Sequence, residues 1–300
     1  VLESKGAGHL LPIGLVVGST AMMAVSDVTA KLLVETVPVV EVMWFRYVVL
    51  GLLAATAFLL SGRRVKVGTI DHRMQILRGV SVTASAVLFT MGLIHLPIGE
   101  ATGITFLSPI LVTVLSVVFL GENVGWRRWI AVAVGFVGIV LIAKPQAAPF
   151  QMAVLLPLAA ALCWATALIA TRKMGAGQNV FVTMLYSATV GICMTSAAAM
   201  VQFHAPSLRE VALGLLSGTS AAIGQALVIL AYQRAPASQL APFSYIQVPF
   251  ATLFGYVLFG TLPGAVALSG ILLVILCGIY TGRRERTKAQ ATPLGRPGPP

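Results

Sequence analysis

Gly79 to Gly125 reads GVSVTASAVLFTMGLIHLPIGEATGITFLSPILVTVLSVVFLGENVG, and 139 positions later (218 minus 79) Gly218 to Gly264 reads GTSAAIGQALVILAYQRAPASQLAPFSYIQVPFATLFGYVLFGTLPG. The two stretches align without a gap. The identities are Gly79/Gly218, Ser81/Ser220, Leu88/Leu227, Pro97/Pro236, Thr113/Thr252, Val118/Val257, Gly121/Gly260 and Gly125/Gly264. Among so many apolar positions this number of matches is modest. The prolines and glycines carry the register, because both residue types fix backbone geometry.

Around the repeat the chain is apolar almost throughout. Of 300 residues 58% are hydrophobic and 10% charged, and the mean hydropathy is +0.93. That composition places it among polytopic membrane proteins. At about 20 residues per span, apolar runs fall at about 10–34, 37–61, 74–95, 97–120, 126–143, 151–171, 180–202, 208–232, 236–259 and 264–281. They are too long and too continuously apolar for the alternating strands of a membrane barrel. The expected fold is an all-α membrane protein of ten transmembrane helices. Each copy of the repeat lies in a half of five spans, and an odd number of crossings turns the second half upside down. Two inverted five-helix repeats are the usual architecture of secondary transporters. The expected division is a cytoplasmic N-terminal segment 1–9, a first repeat 10–146, a second, inverted repeat 147–282 and a disordered cytoplasmic tail 283–300, basic and then Pro/Gly-rich.

A net charge of +11 raises nucleic acid as a partner, but the distribution of the charge argues against it. Fifteen Lys and Arg, among them Arg63, Arg64, Arg127, Arg128, Arg172, Lys173, Arg283 and Arg284, fall on one side of the expected membrane, and only Lys144 and Arg209 fall on the other. This is the positive-inside pattern and puts both termini in the cytoplasm of a bacterial inner-membrane protein. The first apolar run has no small-residue cleavage pattern and is expected to be a retained span. Cys163, Cys193 and Cys277 each stand alone, and the four His form no pair, so neither a metal site nor a cofactor is expected.

Charge inside the spans is scarce, and intramembrane charges usually face a cavity or one another. Asp27 and Lys31 are four apart, on one face and within salt-bridge reach. They are either a structural ion pair or a polar wall of a substrate or proton pathway. Arg46 lies two turns into predicted helix 2, deep enough to meet a substrate carboxylate, carbonyls or an acidic partner such as Asp27. Glu100 opens predicted helix 4 at the positive end of its dipole. It joins Asp27 as a candidate for proton coupling. Glu35 and Glu41 are expected in water, Arg78 to snorkel to lipid phosphates, and Trp44 and Tyr47 to anchor the membrane interface.

Pro109 and Pro249 fall halfway along predicted helices 4 and 9, each removing a bond to the carbonyl four residues earlier, and Pro242 adds an interruption. Backbone carbonyls freed at membrane depth need a partner or a water-filled cavity. Polar and aromatic residues gather at the same breaks: Thr105, Phe106 and Ser108 in the first half, Ser244, Tyr245 and Gln247 in the second. Phe106 and Tyr245 are equivalent in the repeat. Gln225, a full amide in the middle of a span, also needs partners. Trp164 is either an interfacial anchor or a ring lining the cavity. These residues, with Arg46, are the candidate substrate-binding set, and the three prolines are the candidate hinges.

The run PILVTVLSVVFLGE from Pro109 to Glu122, its echo PFATLFGYVLFGT, Arg46, Trp164 and a Gly-rich predicted helix 5 resemble the drug/metabolite transporter superfamily, in particular its EamA-type ten-helix exporters. Thr261 stands where the second copy often carries an acidic residue. The resemblance covers about residues 10–282 and is nearest to exporters of aromatic and neutral amino acids. It implies two inverted bundles around a central cavity, working as a monomer and exporting small metabolites, amino acids or related drugs by alternating access, with or without protons. A cationic drug or a sugar derivative is the alternative cargo. A membrane-embedded lipid-modifying enzyme is the rival class, but no HExxH or paired acidic motif supports it.

Overall fold

The computed structural model describes residues 4–61, 71–120, 126–143, 152–174, 178–201, 205–234, 243–273, 275–276 and 280. The helices are α1 (Ser4–Leu33), α2 (Val39–Leu60), α3 (His72–His95), α4 (Ile98–Thr105), α5 (Ser108–Leu120), α6 (Trp126–Ala143), α7 (Leu155–Met174), α8 (Val180–Val201), α9 (Leu208–Arg234), α10 (Gln247–Phe259) and α11 (265–273). No strand occurs among the described residues. Among the described residues six segments are long and apolar enough to cross a membrane: Leu11–Leu33, Val39–Leu60, His72–His95, Met152–Thr171, Val180–Val201 and Leu208–Ala231.

Local sequence sets several of the boundaries. Asp71 accepts a bond from the Met74 N–H at 3.1 Å and caps α3. Pro97, extended at ψ 141°, starts α4, where a missing N–H costs nothing. Gly260 ends α10 in the left-handed region at φ 64°, a conformation glycine adopts without strain.

The long spans predicted at 97–120 and 236–259 are interrupted. After α4 the chain makes a turn at Phe106–Leu107, with the Leu107 N–H bonded to the Ile104 carbonyl at 3.0 Å, and α5 then begins. In the second half a turn at Tyr245–Ile246 precedes α10. Pro109 and Pro249 therefore lie in the first turn of new helices and not in the middle of long ones. The carbonyl that Pro249 was expected to free, that of Tyr245, accepts the Val248 N–H at 3.1 Å. Pro242 lies outside the described residues.

Helix boundaries repeat more faithfully than side chains. Under the 139-residue offset α5 coincides with α10 from end to end, α3 and α9 finish together at His95 and Arg234, and α6 and α11 start together at 126 and 265. Packing repeats too. α1 packs on α9 and α3 on α7; α2 packs on α8; α1 meets α10 as α7 meets α5. Exchanging the halves maps each of these pairs onto another or onto itself, as a two-fold relation requires. Gly79 of α3 lets Val190 of α8 approach, and Gly218 of α9 does the same for Val49 of α2. The main core, including Phe89, Leu93, Ile98, Ile104, Tyr245 and Val248, surrounds the two breaks. Large apolar side chains such as Leu60, Val201 and Leu208 are exposed on the outside, the surface a bilayer covers.

Candidate functional site

The two breaks face each other. The rings of Phe106 and Tyr245, equivalent in the repeat, lie 5.2 Å apart between centroids. Residues exchanged by a two-fold axis touch only where they flank that axis, so this ring pair marks its position.

On the side of the bundle where α1 ends and α2 begins, Asp27 takes a bond from Gln247 Nε2 at 3.1 Å and faces Arg46 across 3.9 Å. Three elements thus converge on one carboxylate: α1, α2 and the first residue of α10. Lys31 does not join them. Its Nζ donates to the Leu96 carbonyl at 2.9 Å and sits 5.3 Å over the Phe259 ring, so the ion partner of Asp27 is Arg46. Four-residue spacing allows an Asp27–Lys31 pair, but the Lys31 stem is long enough to cap the end of α3 instead.

A second polar cluster fills the opposite end, where α3 and α8 begin and α7 and α9 finish. Arg78 is 4% exposed. Its Nε donates to Thr171 Oγ1 at 3.0 Å, one terminal nitrogen to Ser187 Oγ at 2.5 Å and the other to Gln225 Oε1 at 3.4 Å. Gln75, also fully buried, donates to Thr183 Oγ1 at 3.1 Å. Arg78 therefore does not snorkel to lipid: its guanidinium points into the bundle and is held by α7, α8 and α9. A charge on a lipid-facing helix costs on the order of 2.5–3.5 kcal/mol at mid-membrane on insertion scales; turning it inward onto hydroxyl and amide oxygens offsets part of that cost.

Other expectations shift as well. Glu41 is 1% exposed in the first turn of α2, where the helix dipole favours a carboxylate, and so is not in bulk water. Tyr47 is buried, its ring filling the space that the missing side chain of Gly191 leaves, and is no interfacial anchor. Trp44 is half-buried and donates to Ser196 Oγ at 3.0 Å. Of the remaining candidates, Thr105 bonds the Ala101 carbonyl of its own helix at 2.9 Å. Ser108 is buried at the start of α5, Ser244 precedes the second break, Trp164 is half-buried on α7, and Glu100 is buried in the first turn of α4.

Membrane-spanning helices in two matching halves, broken at equivalent points and with buried charge on either side of the breaks, have the make-up of a membrane transport protein. The sequence pattern of the EamA-like transporter family matches residues 10–144 and again 151–281. The chain belongs to that family. It is 29% identical over 283 residues to an S-adenosylmethionine uptake transporter of Rickettsia bellii, covering 93% of this chain and 97% of that protein. A riboflavin transporter of Rhizobium johnstonii is 30% identical over 195 residues, 65% of each chain. The pseudopaline exporter CntI of Pseudomonas aeruginosa is 24% identical over 288 residues, 95% of this chain and 99% of that one. A crystal structure with 18% identity superposes with a TM-score of 0.64 over 90% of this chain and 97% of the other, a likeness of fold. None of these three relatives is named for amino acids, so the narrower resemblance to amino acid exporters has no counterpart among them.

Proposed function

We propose that this protein is an inner-membrane secondary transporter that exports small amphipathic metabolites by alternating access, with neutral and aromatic amino acids the first solutes to test. The observation that carries the reading is the meeting of Phe106 and Tyr245 at equivalent helix breaks. Discontinuous helices at a repeat interface are where transporters of this architecture bind their cargo. In this reading residues 10–146 and 147–282 are two inverted repeats with both termini cytoplasmic. Phe106, Tyr245, Ser108, Ser244, Thr105 and Trp164 contribute to the central site; the Asp27–Arg46–Gln247 cluster closes one side of it and Gln225 belongs to the other. The breaks at Pro109 and Pro249 are the hinges. Relatives named for uptake and for export both resemble the chain, which fits a cycle whose direction the gradients set.

Counterflow in liposomes tests this. Liposomes carrying the purified protein and loaded with unlabelled phenylalanine, tryptophan or leucine should accumulate the labelled solute with saturation, and Phe106→Ala should raise KM. Absence of saturable flux for every amino acid refutes the substrate assignment. Stimulation by a pH gradient, lost in Asp27→Asn or Glu100→Gln, identifies proton antiport; flux indifferent to the gradient identifies a facilitator.

A further inference from the structure

We infer that Arg78, held between Thr171, Ser187 and Gln225, is the binding site for a carboxylate of the transported solute; this rests on the transport reading above. Arg78 is buried, and the ion pair found among the described residues, Arg46–Asp27, lies elsewhere. Its three hydrogen bonds all go to neutral oxygens. A guanidinium has five N–H donors, so among the described residues one N–H on each terminal nitrogen is left over. Two such donors meet both oxygens of one carboxylate.

The neighbouring amide adds a second, independent observation. Gln75 is one turn before Arg78 on α3, and its amide nitrogen bonds Thr183, one turn before Ser187 on α8. Its Oε1 is buried and has no hydrogen-bond partner among the described residues. An acceptor beside an arginine suits a solute that carries an N–H or ammonium close to its carboxylate.

The repeat supplies a control. At the position equivalent to Arg78 (217 minus 139) α9 carries Ser217, which closes the corresponding crossing onto α1 through Ser26, with the Ser26 Oγ bonded to the Ser217 carbonyl at 2.9 Å. Two serines complete the crossing there without charge. The scaffold does not require an arginine at this point, which leaves the cargo as the reason for it. One cation among neutral partners suits a single carboxylate better than a phosphate group, and 4% exposure removes Arg78 from the lipid surface.

The test uses the full chain in detergent, with phenylacetate and the isosteric phenylacetamide as probes and ligand-induced thermal stabilisation as the readout. Wild type should bind phenylacetate saturably and roughly tenfold more tightly than phenylacetamide, the size of one charged hydrogen-bonded contact. Arg78→Gln should bring that ratio to about one, Arg78→Lys should keep part of it, and Ser217→Ala should leave it unchanged. If Arg78→Gln does not fold, Arg78→Lys serves in its place, with a ratio below that of wild type. A preference that survives these changes overturns the inference, as does wild type that binds no carboxylate, or inorganic phosphate that competes as well as phenylacetate. Carboxylate binding that depends on Arg78 without flux of any amino acid would sink the substrate assignment and leave this site standing.

Discussion

Asp27→Asn isolates the charge at the junction of α1, α2 and α10, because the asparagine oxygen still accepts the Gln247 bond while the attraction to Arg46 disappears. At 3.9 Å, with side chains 10% and 12% exposed, an effective dielectric of 20 puts the attraction at about 4 kcal/mol. The contact is longer than a charge-assisted hydrogen bond of about 2.7–2.9 Å, and desolvation opposes it. Removing one partner of a buried pair nevertheless strands the other, at about 3–5 kcal/mol. We expect Asp27→Asn and Arg46→Gln each to destabilise by about 3 kcal/mol, and the double variant by at least about 2 kcal/mol less than their sum. The assay is equilibrium unfolding in mixed detergent micelles followed by circular dichroism, arranged as a double-mutant cycle. Additivity within about 0.5 kcal/mol would show that the two charges are not coupled and would refute the account of this junction.

Three further outcomes follow from the packing. Lys31→Met keeps the apolar stem over Phe259 and loses the bond to Leu96; the unfolding midpoint should fall by the equivalent of about 1 kcal/mol, additively with Asp27→Asn, whereas a direct Asp27–Lys31 pair would break additivity. Gly218→Ala brings a Cβ to 2.6 Å from Val49 Cβ, and Gly79→Ala to 3.0 Å from Val190, so both should lower thermal stability by about 1–3 kcal/mol of overpacking, the former more. Cysteines at 106 and 245 joined by a short bis-methanethiosulfonate reagent, each thiol displacing a methanesulfinate, should stop liposome counterflow, with recovery when the two disulfides are reduced; unchanged flux would mean that the two positions need not separate.

The repeat, the apolar runs and the breaks near Pro109 and Pro249 were legible because they are written in residue types with fixed local consequences. The alignment made Phe106 and Tyr245 equivalent, but that their rings touch emerged only from the packing of the helices. The inward face of α3 was not legible. Apolar side chains lie on every side of this helix, so no amphipathic stripe tells which way Arg78 points, and its partners Thr171, Ser187 and Gln225 stand 93, 109 and 147 residues away. The same holds for Tyr47, whose burial depends on a glycine in α8, and for Lys31, whose acceptor is a backbone oxygen 65 residues further on. Side-chain type marked these residues as unusual; only helix packing decided their partners.

Because α1 pairs with α9 and α3 with α7, each half completes the interior of the other. Ser26 meets Ser217 across 191 residues, a stretch that takes a ribosome roughly 10–40 s to make at 5–20 residues per second. Ser26 waits for its partner throughout that interval, and Arg78 waits for Thr171, Ser187 and Gln225 while 93, 109 and 147 further residues are made. The interior of the first half is therefore completed only as the second half is made, and a pause in synthesis between α3 and α9 lengthens that wait.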